Sequence, residues 1–131
     1  MIWIDRSVPQ AVAHSLRLVR DDVCWVGDLY SQHTKDMVWL ADAGSAGVLV
    51  ILRDKKVRSR PGERRTIIDN RVGCFIVNQK HNPTKWEYLR LIAGSLDGMQ
   101  ERFAATARPF IYTVDSHGEF RLVSPAISGG G

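Results

Sequence analysis

Long hydrophobic runs are the first absence. No stretch of the 131 residues approaches the roughly 20 apolar residues of a membrane span. No basic segment followed by a long apolar one opens the chain, so no secretory leader is expected and a cytoplasmic location is the default reading. Cysteine is scarce. Cys24 and Cys74 lie inside the apolar runs Val23–Val26 and Val72–Val77, with no Cys or His partner at metal-ligand spacing. In the expected sheet the first strand separates these runs, which places the two thiols about 10 Å apart, beyond disulfide reach. Both therefore read as reduced core residues. The four histidines, His14, His33, His81 and His117, include no pair at metal spacing. Gly44-Ser-Ala-Gly47 lacks the Gly-Lys-Ser/Thr ending of a phosphate loop, and Ser15, Ser31 and Ser45 lack the context of a nucleophile elbow. These absences argue against a zinc site, a P-loop nucleotide site and a serine hydrolase.

What is present is an ordinary globular composition, 44% hydrophobic and 24% charged, in a chain long enough for one domain with a real core and too short for two. One domain over 1–125 and a flexible Gly-rich tail over 126–131 are expected, with no internal repeat. The net charge of +4 is unevenly placed. From Arg53 to Arg65, seven Lys or Arg stand against Asp54 and Glu63, a local excess of +5, and the rest of the chain sums to −1. A solvated basic loop would account for this. A patch that touches nucleic-acid phosphate accounts for it better, because the cations abut an acid at an expected active edge.

Strands and helices alternate in the pattern of a mainly parallel sheet with crossover helices. Strands are expected at Ile2–Ile4, Val23–Val26, Val48–Leu52, Val72–Val77 and Phe110–Val114. Ser116-His-Gly118 then turns the chain into an antiparallel strand at Glu119–Val123. The first helix follows Pro9 with Val12, Leu16 and Val19 on its apolar side. A second, capped by Thr34, runs to about Ala46 with Val38, Trp39, Leu40 and Ala41 as its apolar residues. A short helix opens at Pro61 and ends near Asn70. The longest starts after Asn82-Pro83-Thr84, with Trp86, Leu89, Ala93, Leu96, Met99 and Phe103 as its core stripe. The fold class is thus α/β: a mainly parallel five-stranded sheet flanked by helices, with a C-terminal antiparallel hairpin strand.

The chemistry sits in the acids. Asp5 closes the first strand with Arg6 behind it. Asp54 follows the fully apolar run Val48–Leu52 and is itself followed by Lys55, Lys56, Arg58 and Arg60. Both acids fall at carboxyl ends of strands, where open α/β sheets bind ligands. Asp36 lies in the first turn of the second helix, three residues ahead of Trp39. Gathering three carboxylates is unfavourable without a counter-charge. A hard divalent cation, Mg2+ or Mn2+, removes that penalty and binds phosphate oxygens as well. Each acid also has a plainer explanation: Asp36 complements a helix N-terminus, and Asp5 and Asp54 simply close strands. Asp22, Asp28 and Asp42 compete for the role, with Asp28, at the end of the second strand, the strongest substitute for Asp36.

The runs Ile2-Trp-Ile-Asp-Arg6, Asp36-Met-Val-Trp-Leu-Ala-Asp-Ala-Gly44 and Leu49-Val-Ile-Leu-Arg-Asp-Lys-Lys56, in this order, resemble the PIN-like domains. More narrowly, they resemble the compact group of VapC-type toxins of toxin–antitoxin systems. The likeness extends through Glu63–Ile68 and the long helix to Arg108-Pro-Phe-Ile111. It implies a metal-dependent ribonuclease with Asp5, Asp36 and Asp54 as catalytic metal ligands, and with Arg6, Arg53, Lys55, Lys56 and Arg58 on the RNA backbone. It further implies an RNA substrate, a cognate antitoxin as protein partner, no membrane, and a homodimer as one open oligomeric state. Larger PIN ribonucleases add a fourth acid near a later strand, where this chain has Asn78-Gln-Lys80. Two rivals stand against this reading. A catalytically inactive PIN-like module would bind RNA or a partner without cleavage. A signalling receiver domain would need paired acids at the first strand's end, where this chain has Asp5-Arg6.

Overall fold

A computed structural model describes residues 1–53, 61–78 and 82–125. Its elements run β1 (Ile2–Ile4), α1 (Gln10–Arg17), β2 (Val23–Trp25), α2 (Val26–Leu29), α3 (Asp36–Ala46), β3 (Leu49–Arg53), α4 (Pro61–Asp69), β4 (Gly73–Val77), α5 (Lys85–Ala105), β5 (Phe110–Val114) and β6 (Phe120–Ser124). One six-stranded sheet has the order β2-β1-β3-β4-β5-β6, all pairs parallel except β5 with β6. The expected α/β fold, a mainly parallel sheet closed by a C-terminal antiparallel strand, is the fold observed.

The apolar runs are continuous because both sheet faces are covered. Ile2, Ile4, Leu49, Ile51, Phe75 and Val77 point to one face, where α1 supplies Val12, Ala13 and Leu16 and α5 supplies Tyr88, Leu91, Ile92, Leu96 and Met99. Val50, Leu52, Cys74 and Ile76 point to the other, against Trp39, Leu40 and Ala43 of α3 and Ile67 of α4. Gly47 ends α3 in the left-handed region at φ 69°, where its backbone N–H closes on the carbonyls of Ala43 and Gly44. Thr84 caps α5 through a reciprocal box with Glu87.

Several expectations shift. Thr34 does not cap α3: the helix begins one residue after Lys35 and no side chain caps it. Val19 lies past the end of α1 and is 81% exposed. The stripe of α5 holds in part: Leu96 and Met99 are buried and Leu89 and Phe103 pack against the core as expected, but Trp86 and Ala93 are outside, and Tyr88, Leu91, Ile92 and Ser95 are buried in addition. The second strand stops at Trp25 because Val26 turns into the one-turn α2. Two strands, β1 and β3, separate Cys24 from Cys74, since Cys24 pairs with Trp3, Trp3 with Val50 and Val50 with Cys74. That is wider than the expected single strand, and both cysteines are free. Cys24 is half-buried on edge strand β2 rather than in the core.

Candidate active site at the carboxyl edge of the sheet

From β1 the chain steps outward to β2, then returns across β1 to β3. Strand order therefore reverses between β1 and β3, and the crevice beyond their carboxyl ends is where such sheets take ligands. Asp5 stands at this crevice. Its backbone N–H continues the ladder by donating to the Ile51 carbonyl at 2.9 Å. One step further β1 has ended, and the Ser7 hydroxyl takes over: the Arg53 N–H donates to Ser7 Oγ at 3.0 Å. Ser7 in turn donates to Asp5 Oδ2 from its hydroxyl at 2.5 Å and its backbone N–H at 3.1 Å. The carboxylate is thereby held at the gap between the strand tips. Nothing in the sequence marked Ser7 except its place two residues after the acid.

Burial pushes the Asp5 carboxyl above its ordinary value, the Ser7 bonds oppose that rise, and the charge of Asp36 adds to it. Asp36 thus acts on Asp5 although 31 residues separate them in sequence. It occupies the first turn of α3, exposed, and its Oδ1 accepts from the indole Nε1 of buried Trp39 at 3.0 Å. The other acids face elsewhere. Asp28 accepts from Gln10 Nε2 at 3.3 Å and pairs with His14 at 2.6 Å, and these contacts with α1 hold its carboxyl below the usual range. Asp42 accepts from the Tyr30 hydroxyl, and Asp22 pairs with Arg20.

Arg6 donates to the carbonyls of Tyr30 and Ser31, which tethers the connection between α2 and α3 that delivers Asp36. Arg53 extends the other way. Its guanidinium donates to Asn82 Oδ1 at 3.3 Å and lies 5.6 Å from the centre of the Tyr88 ring, tying the tip of β3 to the first turns of α5. Beside Asp36, between the starts of α3 and α4, opens a cleft of about 700 Å3 bordered by Lys35, Met37, Leu40 and Thr66. Asp54, Lys55, Lys56, Arg58 and the 126–131 tail lie outside the described residues.

Among the described residues no group of three or more His, Cys, Asp or Glu side chains could by itself hold a metal ion. Asp5 and Asp36 supply hard oxygen donors whose mutual repulsion a divalent cation relieves, so the chemistry of these two fits magnesium or manganese as part of a larger ligand set. Among the described residues no helix is long and apolar enough to cross a membrane.

In a comparison with known families, residues 1–79 match a model described as a PIN-like domain. That stretch carries Asp5, Ser7, Asp36 and Arg53 together with both strands that flank the crevice. No curated protein and no solved structure matches the chain.

Proposed function

This chain belongs to the PIN-like domain family, a nuclease-type fold, and from that premise we propose that it is a metal-dependent ribonuclease acting as the toxin of a type II toxin–antitoxin pair. The observation that carries the reading is the Asp5 carboxylate, fixed by Ser7 at the strand-order reversal and subject to the Asp36 charge. Asp5, Asp36 and Asp54 would hold magnesium or manganese. Such an ion, when bound, supplies a water of lowered pKa and positive charge for the phosphate oxygens of an in-line attack. The protein's own part is to aim the carboxylates and bring the strand to them. Ser7 orients Asp5, and Trp39 orients Asp36. Arg6, Arg53, Lys55, Lys56 and Arg58 bind the RNA backbone, which is single-stranded because splayed nucleotides enter a recessed edge better than a duplex.

A masking antitoxin follows from the toxin role. Met37, 58% exposed, lies next to Asp36 and lines the cleft between α3 and α4, and Val38 after it is 48% exposed. This gives an apolar seat for a partner segment whose Arg would enter among the acids in bidentate geometry.

Purified protein with excess magnesium should cleave single-stranded RNA. Asp54→Asn should abolish that cleavage while keeping the fold, and Asp28→Asn should retain it. Wild-type rates in Asp54→Asn would sink the site assignment. In cells, strong expression should arrest growth and co-expression of the adjacent gene should restore it; normal growth with folded protein present argues against the toxin. One observation favours a second reading. β4 leads into Asn78, whose backbone N–H is spent on the Val114 carbonyl, where larger PIN ribonucleases place a fourth acid. An inactive RNA- or partner-binding module would bind without any metal-dependent cleavage.

A further inference from the structure

Four tryptophans are present, and three are engaged by the fold. Trp39 is buried, Trp25 donates from Nε1 to the Val8 carbonyl at 2.9 Å, and Trp3 packs edge-on against Tyr30. Trp86 differs: 65% of it is exposed, in the first turn of α5. We propose that Trp86, with Lys85 beside it, is a stacking platform for one unpaired base of the RNA strand, an inference that rests on the ribonuclease reading above.

The placement follows from the topology. α1 leaves the tip of β1 within five residues of Asp5, and α5 begins after the tip of β4, so both helices start at the carboxyl edge. Arg53 joins these starts, through Ser7 on one side and through Asn82 and Tyr88 on the other. Tyr88 turns into the core. Trp86, two residues earlier and about 200° round the helix, turns outward. There it borders a shallow cleft of about 210 Å3 between α1 and α5, with Ala11, Val12, Ser15, Lys85 and Leu89 as its other walls.

The chemistry of this corner suits a nucleotide better than a protein. One flat indole offers its face to any base, since every base has a π-surface, and the adjacent ammonium reaches the phosphate that follows. Among the described residues near it, Asn82, Lys85, Glu87 and Arg90 are exposed and polar or charged, unlike the apolar centre of a protein interface. The strand would run from this platform past Arg53 to Asp5.

The test uses the whole chain in chelator, so that nothing is cleaved, with a fluorescein-labelled 12-nucleotide single-stranded RNA and versions of it carrying one abasic position each. Trp86→Ala should weaken binding roughly 5- to 150-fold, the range for loss of one base–aromatic stack, and Trp86→Phe should restore most of it. Its thermal midpoint should match the wild type, since the ring is in solvent. One abasic position should weaken binding to the wild type and not to Trp86→Ala. Equal affinities of wild type and Trp86→Ala, with no abasic position that distinguishes them, overturn the platform while leaving the ribonuclease reading intact. Absence of any RNA binding by the wild type removes both. A change in the sedimentation of Trp86→Ala without a change in RNA affinity assigns the ring to contact with a second protein molecule and overturns the proposal.

Discussion

The most informative contact involves a residue with no ionisable group. Ser7 accepts from Arg53 N and donates to Asp5, so its hydroxyl ends one strand ladder and orients the acid at once. Ser7→Ala would leave the half-buried Arg53 N–H without its acceptor, at a cost of about 1–3 kcal/mol, read as a lower urea midpoint. It would also remove the donor that holds the Asp5 proton affinity down, so the acid limb of the cleavage profile should move to higher pH. An unshifted limb would show that Ser7 is structural only. Asp5 supplies a second prediction. Because burial raises its carboxyl above the ordinary 3.8, the folded chain holds this proton more tightly than the unfolded chain does. Stability then falls as pH rises from 3.8 through the raised value, and stays lowered above it. In chelator, Asp5→Asn should therefore melt above the wild type at neutral pH, with the gap closing as pH falls toward 3.8. A gap of constant size at all pH values would contradict the burial argument. Asp5 and Asp36 were legible as candidates in the sequence, since one follows a strand and the other opens a helix. Ser7 and the Arg53–Tyr88 contact were not, because both are made across elements.

At the scale of elements, close approach decides more than propensity. α3 and α4 meet at Gly44, where an added Cβ would stand 1.9 Å from the Asn70 carbonyl oxygen. Arg108 binds both helix ends, with Nη1 3.3 Å from the Gly44 carbonyl and 3.5 Å from that of Arg71, a favourable place for a cation. Gly44→Ala should gain about 1 kcal/mol in helix propensity and lose more, since the obstructing atom is backbone and overpacking costs typically 1–3 kcal/mol. A fall in the denaturation midpoint is expected; a rise would mean the helices separate freely. Strand positions were readable because a run such as Leu49–Leu52 is apolar on both faces. The buried face of α5 was readable only in part. Leu89, Leu91, Ile92 and Ala93 are all apolar, so several stripes fit a three-and-four spacing, and packing against α1 and the sheet selected the one through Tyr88, Leu91, Ile92 and Ser95.

For the whole molecule, charge is the property that reaches furthest. Replacing Lys55, Lys56 and Arg58 together by Ala takes the net charge from +4 to +1. If all three touch phosphate, the slope of log affinity against log salt for single-stranded RNA should flatten by roughly 0.7 per contact. An unchanged slope would assign the basic segment to solvent or to a protein partner. The sheet carries a further global feature. The steps from β3 to β4 and from β4 to β5 run in the same direction, yet α4 packs on one face and α5 on the other. These two crossovers are therefore of opposite hand, against the strong right-handed preference of parallel units. α5 is drawn to α1, and that brings Trp86 and Tyr88 to the edge where Asp5 stands.

The sequence by itself determined the alternation of strands and helices, the burial of the central strands on both faces, and the place of Asp5 at the tip of β1, because each depends on local composition and periodicity. Tertiary structure alone decided which acids feel one another's charge. Asp36 acts on Asp5 while Asp28 is held by His14 and Gln10, since electrostatic partnership depends on how helices pack across the sheet and leaves no mark on spacing along the chain. The same holds for α5: its hydrophobic pattern makes it a helix, and only the competition between the two sheet faces for its apolar surface set the face it covers and the tryptophan it leaves in solvent.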